Sequence, residues 1–316
     1  MSTLTFASMI PKHKSKLRAE QFLEEMRQVL PWRKITQLIK PYYYNNKTGR
    51  QAHELMLMVK IYCLQQWYRL GDLSMEEAIY DRRSFAKFLD IDLMANTIPD
   101  ETTILNFRHL LEEHDLTRQI FQLINKILEK KGLMMKEGTI VDATIISSPS
   151  STKNKDGKRD PEMKSTHKHG QWYFGFKSHI GVDQKSGLTH TLEVTNAKTT
   201  DREKLEDLLH GEEKAIIGDK GYVNQNDKHF ARDAGIYWGI LDRRGRGKTL
   251  SNKQKKRNWQ LSKVRAKVEH PFRIIKDLWG HRKTRYKGLK KNQSQMYMLF
   301  ALANMFMARK VLLRAG

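Results

Sequence analysis

Apolar residues recur at three- and four-residue steps through the first third of the chain, the period of helices that bury one face. Leu55, Met58, Val59, Tyr62, Trp67 and Leu70 form such a stripe between Gln51 and Leu70, and Gly71 predicts its stop. Ser74 and Glu77 have the spacing of a capping box and open a second helix through Ala78 and Ile79, continued by Phe85, Phe88 and Leu89. The pair reads as helix, turn, helix, a pattern shared by DNA-reading motifs and ordinary helical hairpins. After Pro99 and Asp100, Ile104, Phe107, Leu110 and Leu111 mark another helix. Asp115 is placed to cap the next, which runs to Gly132 with Ile120, Ile124, Ile127 and Leu128 inward. Residues 1–135 therefore read as an all-α N-terminal domain.

At Gly138 the pattern changes to a β-branched run, GTIVDATIISS, with a lone carboxylate, Asp142, in its middle. Ser147 to Gly170 is polar and basic and reads as a mobile loop. Gln171–Val182 and Leu188–Asn196 are strand-like and joined by DQKSG, an antiparallel hairpin. A helix is predicted at Asp201–His210. Lys214–Gly218 reads as a buried strand ending at Asp219, the end where ligand sites gather in mixed sheets. Helix Gln225–Ala234, strand Ile236–Leu241 and a basic linker, DRRGRGKTLSNKQKKRN, follow. From Leu261 to Lys276, Leu261, Val264, Val268, Phe272 and Ile275 form an inward stripe, Glu269 lies off it, and Pro271 predicts a kink. Arg265, Glu269 and Lys276 share one face of that helix. Met296–Ala308 reads as a buried C-terminal helix. Residues 136–316 thus form an α/β domain, a sheet flanked by helices, and no internal repeat is visible.

Charge changes the picture. The chain of 316 residues is 39% hydrophobic, enough for a real core, yet carries a formal charge of +23 and a pI near 9.9. Nineteen Lys or Arg and two acids, Glu269 and Asp277, lie between Arg243 and Lys291. An extended polyanion is the obvious partner, because cations that neutralise phosphates release condensed counterions. Nucleic acid is favoured over a membrane: no apolar stretch reaches spanning length, Met296–Ala308 is short and carries Asn304, and the N-terminus lacks a signal peptide's apolar region. The single cysteine, Cys63, excludes an intrachain disulfide and a Cys-based zinc cluster. A cytoplasmic location follows as the expectation.

Asp142, Asp219 and Glu269, each on its own element in a cationic chain, are candidates for holding hard cations. Two magnesium ions about 3.5–4 Å apart can activate an attacking oxygen and stabilise a leaving one. Asp142 could instead pair with a lysine, Asp219 could cap the following turn, and Glu269 could bridge Arg265. Each such role is plausible alone; three on the elements of one sheet are harder to explain that way.

Several ordered stretches then carry a resemblance: IPDETTILNFRHLLE (Ile98–Glu112), IVDAT (Ile140–Thr144), SSTKNKDGKRDPEM (Ser150–Met163), WYFGFKSHIGVD (Trp172–Asp183), IIGDKGY (Ile216–Tyr222), VEHPFRIIK (Val268–Lys276) and LFALANMFMARK (Leu299–Lys310). From about Gly49 onward the chain resembles the DDE transposases of the IS5 family of bacterial insertion sequences. The resemblance implies an RNase H-like mixed sheet in which Asp142, Asp219 and Glu269 form the catalytic, metal-holding triad, with two Mg2+ ions and Mn2+ able to substitute. Fifty residues separate Asp219 from Glu269, too few for the large all-β insertion that some relatives carry there. A related signature of Tyr, Arg, Glu and Lys is met by Arg265, Glu269 and Lys276 but has Ser262 in place of Tyr. The resemblance implies that Arg265 and Lys276 contact donor DNA; Arg273 and the basic loop's Lys153, Lys155, Lys158 and Arg159 are further candidate DNA contacts. The implied activity is binding of terminal inverted repeats, metal-dependent 3′-end cleavage and strand transfer to target DNA. A homodimer or larger assembly on double-stranded DNA, near the nucleoid in the cytoplasm, completes the expectation. A transposase-derived DNA-binding regulator and a nuclease of the same fold are the alternatives.

Overall fold

Helical periodicity in the first half of the chain is realised as seven helices in the computed structural model, which describes residues 17–43, 51–94, 96–153, 155, 157–168 and 170–315. They are α1 (Arg18–Val29), α2 (Trp32–Ile39), α3 (Leu55–Tyr68), α4 (Asp72–Asp81), α5 (Arg83–Leu89), α6 (Glu101–Glu113) and α7 (Leu116–Lys130). The basic N-terminal stretch Met1–Lys16, Gly49, and Asn154 and Asp156 of the basic loop lie outside the described residues. Ten of the fourteen residues of α3 are buried, which leaves it no face for a DNA groove. Its polar residues are paired: Lys60 with Asp90 at 2.6 Å, and Gln65 with Asp72 at 2.9 Å.

Helix ends depart from the sequence pattern where side chains have stronger partners. α3 stops at Arg69, in the left-handed conformation, not at Gly71, and the Arg69 guanidinium reaches the Lys283 carbonyl at 3.0 Å. α4 starts at Asp72, so Ser74 falls inside its first turn; Arg108 holds Asp72 at 3.3 Å while bonding Glu112 at 2.8 Å. A break at Arg82 makes Arg83–Leu89 a separate helix. Asp100 caps α6 by accepting from the Thr103 N–H at 2.7 Å, whereas Asp115, at positive φ, makes no side-chain cap on α7.

The second half contains β1 (Gly138–Ser147), β2 (Lys164–Lys168), β3 (Gln171–Asp183), β4 (Thr189–Asn196), β5 (Ala215–Gly218), α8 (Gln225–Asp233), β6 (Tyr237–Ile240), α9 (Asn252–Arg265), α10 (Glu269–Arg273) and α11 (Leu289–Ala315). The path through the sheet is β2-β3-β1-β5-β6, with β4 also on β3. β4, β3 and β1 are antiparallel, and β5 and β6 continue parallel to β1. That order and polarity is the RNase H-like arrangement, a mixed sheet flanked by helices beside an N-terminal helical region. The predicted Asp201–His210 helix is two 3-10 turns, Arg202–Lys204 and Glu206–Leu208, and the second half of the basic linker is α9. The basic loop also yields a strand, β2, and is tied down by Asp160 and Glu162, which accept from the Gly288 and Leu289 N–H groups at the start of α11.

Alternation along β1 sets the two faces. Ile140 and Ile146 join the large core with α7 and α11, while Val141 joins a smaller one with Leu205, Leu208, Ile216, Tyr222 and Ile240. α11 is apolar and long enough to cross a membrane by composition, but its middle is buried against α7, α1 and β4. Asn304, buried within it, accepts from the Thr189 N–H (2.9 Å) and donates to the Thr189 carbonyl (2.7 Å) and Asn125 (2.9 Å), pinning the start of β4.

β3 lies against β1 at Gly175 with no room for a side chain: a Cβ there would lie 2.1 Å from the Ile146 carbonyl oxygen. Gly175→Ala must part the two central strands and should lower stability by about 1–3 kcal/mol. Urea denaturation measures this, and an unchanged midpoint would contradict the close approach.

Candidate active site

Two strands deliver the first two carboxylates by register. Ile140 of β1 pairs with Ile217 of β5 in parallel, and two residues further along each strand lie Asp142 and Asp219. Asp142 shares its face of β1 with Ile140 and Ile146, on the side of the large core. Asp219 follows β5 directly, and its side chain accepts from the Gly221 N–H at 2.7 Å, closing a 3-10 turn. The bland role foreseen for Asp219, capping that turn, is therefore real, and it engages only one of its two oxygens.

The third element arrives through α9. Arg257 anchors this helix to β6, donating to the carbonyls of Ile240 (2.9 Å) and Trp238 (2.7 Å) and to Asp242 (3.0 Å). Leu261 and Val268 are buried, with Val264 and Phe272 packed against the core, as the stripe predicts. At the end of α9, Arg265 Nη1 donates to Asp142 Oδ2 at 2.8 Å, while Nη2 lies 4.0 Å from Glu269 Oε1. Arg265 thus belongs first to Asp142, a partner 123 residues away, and only second to Glu269. The Glu269 side chain is 67% exposed.

Pro271 does distort the helix. It has no N–H to give the carbonyl four residues earlier; the segment before it is 3-10 (Ala266–Val268), and a π turn (Ile274–Leu278) follows. The result brings Lys276 onto β1, donating to Thr144 Oγ1 (2.9 Å) and the Ile145 carbonyl (3.1 Å). Arg265 and Lys276 therefore both reach the same strand, at residues two apart on one face.

The remaining basic candidates are not gathered here. Arg273 lines a separate cleft with Leu188, Phe306 and Met307. Lys153, Lys155 and Lys158 are exposed on the loop, and Arg159 lies over the Phe174 ring at 5.5 Å. A cleft of about 1000 Å³ opens beside Asp219, lined also by Arg243, Arg244, Lys255, Asn258, Ser262 and Arg265. Arg243, Arg244 and Lys255 were visible in the sequence only as members of a charge run. Lys168, on β2, acts on the Asp142 carboxylate and carries no sequence signal at all.

Burial pushes the Asp142 carboxyl up to about 6, opposed by the Arg265 guanidinium and the Ala143 N–H and reinforced by the neighbouring Asp219 charge. Among the described residues no three His, Cys, Asp or Glu side chains converge as a ready-made metal cage. The donors nevertheless fit a hard divalent ion of the kind held by one or two carboxylates and completed by water and substrate oxygen. Two carboxylates adjoin, their mutual repulsion calls for a cation, and a guanidinium already lies against one of them.

Comparison with known proteins agrees with this arrangement. A family model described as the transposase DDE domain matches residues 134–305. The chain belongs to the DDE transposase family. A second model, described as a transposase domain, matches residues 11–110 of this transposase. Among solved structures, the crystal structure of the Mos1 strand transfer complex is similar over 75% of the transposase chain and 81% of its own, at 11% identity and a TM-score of 0.20. The strand order, not this distant likeness, fixes the fold.

A raised carboxyl means that the folded transposase holds a proton on Asp142 between about pH 4 and 6 while the unfolded chain releases it. Stability from this group is therefore highest below pH 4 and falls as pH rises to 6, by on the order of 3 kcal/mol. Urea midpoints of Asp142→Asn should lose that part of the pH dependence. Parallel curves for the two proteins would refute the shift.

Proposed function

We propose that this DNA transposase belongs to the IS5 family, binds the terminal inverted repeats of its element, cleaves at the 3′ ends and joins the freed 3′-OH to target DNA. Support comes foremost from the register that sets Asp142 beside Asp219 with a cationic cleft and Arg265 against them. Asp142, Asp219 and Glu269 are the residues that would hold Mg2+, with two ions in the complete site and Mn2+ as a substitute. Such ions supply Lewis-acid stabilisation of the charge that develops at phosphorus and activation of the attacking oxygen.

The chain's own groups do the rest. Asp142 stays mostly ionised at neutral pH because Arg265 offsets its burial. Arg265 is the group placed to bind a non-bridging phosphate oxygen beside the carboxylates, and Lys276 one two residues along β1. Glu269, exposed and adjacent, is free to swing inward when substrate draws the guanidinium away. Arg243, Arg244 and Lys255 line a path for the phosphate backbone on the β6 side of the carboxylates, and the loop cations Lys153, Lys155, Lys158 and Arg159 would meet DNA separately, on the β2 side. Arg273 would meet DNA only away from the cleavage point. Residues 1–135 would serve DNA-end binding and assembly, with a dimer or larger complex bringing two ends together, in the cytoplasm at the nucleoid.

Arg265 occupying the place of a cation also favours a second reading, a DNA-binding regulator that no longer cuts. One experiment separates them. Asp142→Asn, Asp219→Asn and Glu269→Gln are each measured for thermal stability, DNA binding and Mg2+-dependent scission. The proposal expects cleavage to fall at least a hundredfold while duplex affinity holds or rises, since each change removes a negative charge from a positive surface. Wild-type protein that binds but never cuts would favour the regulator, and cutting without strand joining a plain nuclease.

DNA affinity should also fall steeply with salt. Neutralising six to ten phosphates implies a log–log slope of about −5 to −9, and a slope near zero would contradict a phosphate-tracking surface.

A further inference from the structure

The β2–β3 hairpin supplies none of the residues assigned above to metal or DNA, yet its surface is unusual. Trp172 is 76% exposed, although an indole is among the most favourable side chains to bury. It faces His167 across the hairpin, with ring centroids 5.2 Å apart and planes at 56°. Antiparallel partners share a face and side chains alternate, so Ser178, Phe176, Phe174 and Trp172 all follow Ile180, the partner of Asp142, on the carboxylate's side of the sheet. Burial falls along this row: Phe176 is buried, Phe174 is half-buried beneath Arg159, and Trp172 is open. Lys168 ends β2 opposite Gln171, next to the Trp172–His167 pair, and puts a cation at the tip of the hairpin.

We propose that this hairpin is a stacking site for an unpaired nucleobase of a DNA strand that runs from the carboxylates along this face of the sheet. Trp172 is the platform, His167 backs it, and Lys168 binds the adjacent phosphate. The assignment rests on the DNA-processing reading of the neighbouring carboxylates. A base within a duplex is already covered on both faces, so an open indole gains most from one that is unpaired, and an aromatic beside a cation is how single-strand sites achieve sequence-tolerant binding. Strand addition by a protein partner is the competing use of an edge strand, and Lys164 and Lys168 on β2 work against it.

Labelled oligothymidylate of about 20 nucleotides and a blunt duplex of equal length are the probes, with the full chain in both cases. Trp172→Ala should lose about tenfold or more of its affinity for oligothymidylate, Trp172→Phe should retain most of it, and duplex affinity should change less than twofold. Lys168→Ala should weaken oligothymidylate binding and reduce its salt slope. Because Trp172 is exposed, an unchanged melting temperature verifies the fold. Equal oligothymidylate affinity in wild type and Trp172→Ala overturns the proposal, as does an equal loss for both probes or a change in oligomeric state alone. The amide variants of the carboxylates should leave oligothymidylate binding intact. Wild-type protein that binds oligothymidylate through Trp172 but never cleaves duplex DNA therefore sinks the functional reading and not this one.

Discussion

The contact between Arg265 and Asp142 is the constraint on which the site depends. A carboxylate on a central strand, packed beside apolar residues and next to a second carboxylate, is costly without a compensating cation. The cation comes from a helix far along the chain, so that helix must dock in one place. Arg257 fixes it to the backbone carbonyls of β6, and the Leu261–Val268–Ile275 stripe fixes its rotation. Glu269 and Lys276 then take their positions as consequences. The ion pair thus sets geometry more than it adds stability.

Much of this was legible because it is local. The inward stripe, the strand bearing Asp142 and the strand ending at Asp219 follow from periods of 3.6 and 2. What escaped has physical reasons. The part of α9 before Leu261 has almost no apolar face, so periodicity cannot reveal it; Ser251 and Gln254 form a complete capping box that the surrounding charges obscured. β2 alternates nothing, being polar on both faces, and exists because β3 offers it an edge. Leu205 and Leu208 suit a 3-10 turn as well as an α-helix, and Lys177, holding Asp201 at 2.9 Å, favours the tighter form.

For the site, sequence spacing gave candidates but not partners. Arg265 and Glu269 are four apart on a helix, which makes their pairing the natural expectation, yet the guanidinium chooses the more buried acid on another element. Nor could the face shared by Arg265 and Lys276 on an ideal helix foretell that a 3-10 segment and a π turn would bring both to β1. Long-range pairing and helix irregularity lie outside what a periodic pattern encodes.

α11 has a consequence in time. It fills the core between the sheet and the first helices, and it follows every other element in the chain. As the polypeptide leaves the ribosome, α7 and the inner face of β4 must wait with their apolar surfaces uncovered until Leu289–Ala315 emerges. The cationic segment from Arg243 to Lys291 precedes it and runs into its first turn. Nascent chains therefore display their charge while this core is still open, and it closes only once Leu289–Ala315 has been made.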